Sequence, residues 1–223
     1  MKGDIPFLAD PGPHSCIISL IDPAGGGASN TAICTIMRTT NDTLVIMGVA
    51  DANVNTEMEI CQFISEYFTA FGEASRYITP PDIIPPHYLL VESNYGGAFL
   101  ADVIFRRAQR SLPSLKEYRS KRLLAGVVTT NDIKYKAVVD IIWNLHQNKI
   151  KIFAKCVSSP ATDTKRALCE LYSQLGNFRR SYTQNMTAVF NEKIGGTSRD
   201  DIAIAFLLAS YHGLIIKTQL FLA

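Results

Sequence analysis

Three acidic positions in this 223-residue sequence stand where an acid needs a reason. Asp22 closes the apolar run 15–22 (SCIISLID), and Glu92 stands near the end of the apolar run 87–93 (HYLLVES). The doublet Asp200-Asp201 opens the apolar stretch IAIAFLLASY. An acid at the end of a buried strand faces either a rim or a site. Carboxylates gathered without partners repel and raise one another's pKa. A divalent cation removes that repulsion, and all-oxygen ligands select Mg²⁺ or Mn²⁺ over zinc. Two such ions, about 4 Å apart, can activate water and stabilise a leaving oxygen in phosphodiester cleavage. Each acid also has a plainer role open to it. Asp22 precedes Pro23 and suits a turn, Glu92 suits a rim ion pair with a lysine, and the doublet (or Ser198) suits a helix N-cap.

The elements that would bring these acids together follow from patterning. Runs 15–22, 30–39 and 43–50 are β-rich and are split by Pro23-Ala24-Gly25-Gly26-Gly27 and by Asn41-Asp42, which predicts an antiparallel meander. A helix is predicted over 56–71, capped by Thr56 or Asn55, with Glu57 and Glu59 in its first turn and Ile60, Phe63, Ile64 and Phe68 inward. A fourth strand is predicted over 87–93, then a helix over 97–112. Further strands are predicted at 123–129, 150–157 and 182–190. They alternate with helices at 131–147 (Val138, Ile141, Ile142 and Leu145 inward), 162–175 (Leu168, Leu171, Tyr172 and Leu175 inward) and 198–211. This order predicts an α/β fold: a mixed central sheet with helices on its faces. If the first and fourth strands are neighbours and the last helix packs beside them, three carboxylates converge on one sheet edge.

With this order the sequence resembles the ribonuclease H-like fold, and more narrowly the nuclease domain of the large terminase subunit of herpesviruses and tailed phages. Ile21-Asp22-Pro23-Ala24 is similar to that family's first-strand Asp motif. Val91-Glu92-Ser93-Asn94 is similar to its fourth-strand Glu motif, where herpesviruses usually show Gly at the position of Ser93. Gly126-Val127-Val128-Thr129-Thr130, with Lys134 and Lys136, resembles the segment before its next helix. Arg199-Asp200-Asp201 is similar to its third acidic motif. Gly25-Gly26-Gly27 departs from the herpesvirus pattern in being richer in glycine. The resemblance covers about residues 15–212. It implies that Asp22, Glu92 and Asp201 or Asp200 are catalytic and hold two Mg²⁺ or Mn²⁺ ions. It also implies endonucleolytic cutting of double-stranded viral DNA concatemers during packaging, with little sequence specificity. Adjacent helical residues diverge by about 100°, so one of the doublet points elsewhere. The implied partners are DNA, a terminase ATPase domain, other terminase subunits and the portal, with no membrane, in the host nucleus for a herpesvirus-like virus. On this reading residues 14–223 form one nuclease domain of a longer terminase and 1–13 are linker. No GxxxxGK[ST] phosphate loop occurs in the sequence.

Arg106, Arg107, Arg110, Lys116, Arg119, Lys121 and Arg122 form the densest basic stretch, and Lys134 and Lys136 follow. They are candidates for sequence-independent phosphate contact, or else a solvated face. Globally, 22 Lys+Arg against 20 Asp+Glu give +2, which neither demands nor forbids a nucleic-acid partner. Hydrophobic residues at 47% exclude a disordered chain. The five cysteines are odd in number and lack CxxC spacing, which predicts reduced thiols in an intracellular protein rather than a zinc site. The apolar run 202–211 is shorter than the ~20 residues that span a bilayer. Two other readings predict different behaviour. An inert docking or DNA-binding module would bind partners indifferently to EDTA. Another ribonuclease H-like nuclease, such as a junction resolvase, would prefer four-way junctions.

Overall fold

A computed structural model describes residues 12, 14–24, 30–78, 85–94, 97–118, 126–158, 163–182, 188–191 and 200–222. Strands β1 (Cys16–Asp22), β2 (Thr31–Arg38) and β3 (Leu44–Ala52) form the meander, followed by helix α1 (Glu57–Ser75), β4 (His87–Val91), α2 (Gly97–Ser111) and β5 (Leu115–Glu117). Then come α3 (Asn131–His146), β6 (Ile150–Val157), α4 (Thr164–Asn177), β7 (Arg179–Tyr182), β8 (Ala188–Asn191) and α5 (Asp201–Leu222). The main sheet runs β5-β4-β1-β2-β3-β6, and β7 and β8 pair separately. β1 is antiparallel to β2 and parallel to β4, β2 is antiparallel to β3, and β6 is parallel to β3. This is the mixed sheet expected from the element order.

Both faces of the sheet are buried, which is why its strands are apolar almost throughout rather than alternating. One face carries Ile17, Ile21, Ile33 and Val91 and packs on α1 and α2 through Phe63, Phe68, Phe71, Ala101 and Ile104. The other carries Ile18, Leu20, Ala32, Cys34 and Leu90 and packs on α3, α4 and α5 through Ile141, Leu171, Phe206 and Leu207. Helix α1 begins in a capping box: Thr56 Oγ1 accepts from the Glu59 N–H at 3.3 Å, and Glu59 Oε2 accepts from the Thr56 N–H at 3.2 Å. Helix α5 runs eleven residues past the end expected from sequence, through the tail 214–222. By length and composition it could cross a membrane, but 72% of that stretch is buried inside the protein, where it covers β1 and β2 as a core helix. A buried guanidinium ties it down. Arg38 pairs bidentately with Asp140 of α3 (2.9 and 3.0 Å) and donates to the Ser210 carbonyl of α5 at 3.1 Å, while Ser210 Oγ donates to Asp140.

Some expectations are corrected. Ile142 and Leu145 of α3 and Tyr172 of α4 are exposed, not inward; Ala137, Ile141 and Asn144, and Ala167, Leu171 and Gln174, are the buried positions. Helix α3 carries apolar residues around most of its circumference, so periodicity alone could not choose its face; on α4, Tyr172 lies at the edge of a single apolar stripe. The β-rich run expected at 182–190 meets β7 at its start and β8 at its end, with 183–187 outside the described residues, and β5 was not foreseen because its three residues, Leu-Lys-Glu, carry no strand signal.

Candidate active site

Register decides which side chains meet. β1 and β4 are parallel, with Leu20 opposite Leu90 and Ile21 opposite Val91, so Asp22 and Glu92 fall in the next row. Alternation along each strand puts both on the face of Leu20 and Leu90, under α5. The Glu92 N–H donates to the Ile21 carbonyl at 2.8 Å and fixes that row. Glu92 also bridges Val127 in parallel, the short described remnant of the strand expected at 123–129; residues 123–125 lie outside the described residues. Gly126 permits this approach. Its φ is +87°, and a Cβ there would stand 2.7 Å from the Val91 carbonyl oxygen. Asn94 clamps the same corner. Its Nδ2 donates to Glu92 Oε1 (3.1 Å) and to the Thr129 carbonyl (3.0 Å), and its Oδ1 accepts from the Thr129 N–H at 3.0 Å.

The carboxyls of Asp22 and Glu92 lie within hydrogen-bonding reach of each other, and Asp201 lies close enough for its charge to act on Asp22. Burial raises the Asp22 pKa well above the usual carboxylate range, and the hydrogen bond and charge of Glu92 and the charge of Asp201 add to it; the Lys134 ammonium partly offsets them. Glu92 is 7% exposed and Asp201 8%. Asp201 Oδ2 accepts from the backbone N–H of Asn30 at 3.0 Å. The doublet is thus divided: Asp201 faces the acids, while the Asp200 carbonyl accepts the first α5 hydrogen bond from Ile204 at 2.8 Å, the place of an N-cap. Ser198, the other cap candidate, lies outside the described residues, as does Gly25-Gly26-Gly27.

Among the described residues, no three His, Cys, Asp or Glu side chains are drawn together as a formed metal cage. An N–H already occupies one oxygen of Asp201. The donors are nevertheless all oxygen, which is the chemistry of a hard divalent cation. Carboxyls set this close raise one another's pKa, and a cation would relieve them.

The basic residues separate. Lys134, in the first turn of α3, lies near enough for its charge to act on Asp22, whereas Lys136 pairs with Asp132 at 2.7 Å and is exposed. Arg106, Arg107 and Arg110 lie across the sheet on α2, where with Met58, Cys61 and Val103 they line a groove of about 680 Å³ between α1 and α2; Arg106 also pairs with Asp102 at 2.9 Å. Lys116 stands opposite Tyr88, four residues before Glu92, which is about 13 Å along the strand. Arg119, Lys121 and Arg122 lie outside the described residues. The basic run, continuous in sequence, therefore does not form one surface beside the acids. Helix α2 carries its arginines to the opposite face. Sequence reasoning also passed over Asn30 and Asp51, which are short polar residues in turn-like surroundings with no signal of their own.

No family model matches the sequence, and no curated protein does. Solved structures do. The human cytomegalovirus terminase nuclease domain, soaked with Mn, superposes with a TM-score of 0.64 at 17% identity, covering 92% of this chain and 85% of that one. The chain has the fold of the terminase nuclease domains. A K428A mutant nuclease domain of the large terminase subunit gp2 of bacterial virus Sf6, with manganese and beta-thujaplicinol, gives 0.53 at 12% identity and covers 87% of each chain. The large terminase nuclease of thermophilic phage G20c, with bound cobalt, gives 0.52 at 14%, covering 87% of this chain and 80% of that one. The terminase nuclease fold agrees with the sheet order expected from sequence, ribonuclease H-like and mixed.

Proposed function

We propose that this chain is a metal-dependent endonuclease that hydrolyses double-stranded DNA during viral genome packaging, acting beside an ATPase motor in a longer terminase. One observation carries the reading: strand register sets the carboxyls of Asp22 and Glu92 side by side at the carboxyl ends of adjacent parallel strands, within the electrostatic reach of Asp201. Ligands of open α/β sheets gather at that edge. The cytomegalovirus, Sf6 and G20c structures of this fold were determined with Mn, manganese and cobalt, which supports a divalent cation here.

Asp22, Glu92 and Asp201 would hold Mg²⁺ or Mn²⁺, two ions in the full reading, with Asp200 capping α5 rather than binding. Bound there, the cations would supply a water of lowered pKa and charge to offset the leaving oxygen. The protein's own residues do the rest. Asp22, whose pKa burial and its acidic neighbours raise, would lose its proton to solvent as a cation binds. Asn94 fixes Glu92 through Oε1, and the Asn30 N–H fixes Asp201 through Oδ2. The Lys134 ammonium is placed to meet a DNA phosphate brought to the acids. A phosphate-led grip of this kind reads no bases and would give little sequence preference.

Cleavage of supercoiled plasmid tests the reading. Nicked and linear products are expected with Mn²⁺ or Mg²⁺, none in EDTA, and none from Asp22→Ala or Glu92→Ala. Cleavage that survives in EDTA or in Asp22→Ala refutes it. DNA or partner binding without cleavage, unchanged by EDTA, would instead mark an inert docking module, and a preference for four-way junctions would mark a resolvase.

A further inference from the structure

β3 also ends in an acid at the active-site edge. Ala32 of β2 pairs with Asp22 of β1 on one side and with Asp51 of β3 on the other, so all three side chains lie on one face in one row. Two strand spacings, about 10 Å, separate Asp51 from Asp22, too far for both to bind one ion. Asn30 spans the interval. Its Nδ2 donates to Asp51 Oδ2 at 2.6 Å, and its backbone N–H donates to Asp201 Oδ2 at 3.0 Å. The first of these is a short, charge-assisted bond. It also fixes the sense of the amide, since the reversed amide would set an oxygen against a carboxylate. Asn30 is 5% exposed, and its Oδ1 has no partner among the described residues, so the bond to Asp51 is the side chain's one polar anchor among them.

We propose that Asp51 is a positioning residue: by gripping the Asn30 side chain it fixes the backbone N–H that orients the Asp201 carboxylate for cation binding. This rests on the reading of Asp22, Glu92 and Asp201 as cation ligands. Asp51 touches neither cation nor DNA and acts through Asn30 alone. The element it works on is the residue just before β2, where the chain enters the sheet beneath the start of α5.

Two measurements on the full chain test it: Mn²⁺ titration by calorimetry, and hydrogen exchange of the Asn30 amide by NMR without cation. Asp51→Ala is expected to weaken Mn²⁺ binding about 10- to 100-fold, the usual loss when a ligand's outer support is removed, and to speed Asn30 amide exchange. Asp51→Asn keeps an oxygen acceptor for Asn30 Nδ2 and is expected to restore both to within about threefold of the parent, although the negative charge is gone. Parent-like Mn²⁺ affinity and exchange in Asp51→Ala overturn the proposal. So does an Asp51→Asn as weak as Asp51→Ala, because the loss would then come from charge and not from the hydrogen bond. If the parent takes up no Mn²⁺, the nuclease reading fails separately, and the Asn30 amide alone decides whether Asp51 holds Asp201. Should Asp51→Ala not fold, Asp51→Ser, too short to reach Asn30, takes its place with the same outcomes.

Discussion

Replacing Asp22 with Asn should stabilise the cation-free protein and remove its response to cations. Asp22 and Glu92 sit in adjacent strands about 4.8 Å apart, and Asp201 adds a third negative charge. Two full charges about 5 Å apart at an effective dielectric constant of 20 repel by roughly 3 kcal/mol. Protonation relieves part of this, leaving about 2 kcal/mol as the cost of keeping the pair without a cation. The amide introduced by Asp22→Asn would stand within reach of Glu92 as a donor without the charge. At about 2–4 °C per kcal/mol for a chain of this size, the variant should melt about 4–8 °C above the parent in EDTA at pH 8. With Mn²⁺ at a hundred times its Kd, the parent should gain about 2.7 kcal/mol and overtake the variant, which should gain less than about 0.5 kcal/mol. Differential scanning fluorimetry with and without Mn²⁺ is sufficient. A variant that melts below the parent in EDTA, or that gains as much from Mn²⁺, would show that the acids are neither strained by one another nor relieved by a cation.

Three further outcomes follow from the packing. A Cβ on Gly48 would overlap the Tyr67 hydroxyl, which donates to Thr35 Oγ1 at 2.7 Å; Gly48→Ala should cost about 2–4 kcal/mol in urea unfolding, and adding Tyr67→Phe should recover part of it. Arg38→Met removes the cation that pairs with the largely covered Asp140 carboxylate and should cost about 3–5 kcal/mol, whereas Arg38→Met with Asp140→Leu should cost clearly less, since neither charge is then left unpaired; equal losses in a double-mutant cycle would refute this. Burial pushes His87 down to about 3, against 6.5 when exposed, while its Nε2 lies 2.8 Å from Ser19 Oγ. The unfolded chain binds the extra proton between those values, so stability falls as pH drops from about 6.5 toward 3, by up to about 1.4 kcal/mol per pH unit. His87→Gln should flatten that acid limb, and an unchanged slope would exclude His87 as its source.

Asp22 and Glu92 were legible because each ends a run that must be buried, where an acid is conspicuous. Asp201 was legible as one of two. Asp51 was not, because GVADANVN reads as an ordinary strand passing into a loop, and nothing local reveals that Ala32 aligns it with Asp22. The place of the α2 arginines was not legible for the converse reason. They follow Glu92 closely in the chain, but a helix joining two parallel strands has to cross one face of the sheet, and this one takes the face away from the acids.

The sequence by itself determined most of the strands and helices, the N-terminal cap region of α1 and the two strand-end acids, because these depend on short-range periodicity, turn chemistry and the cost of burying charge. Only the tertiary structure decided which acids meet, which of Asp200 and Asp201 turns inward, and which cations stand beside them. Those outcomes depend on strand register and on the face each helix covers, and a one-residue slip or a change of face alters them without changing any local preference.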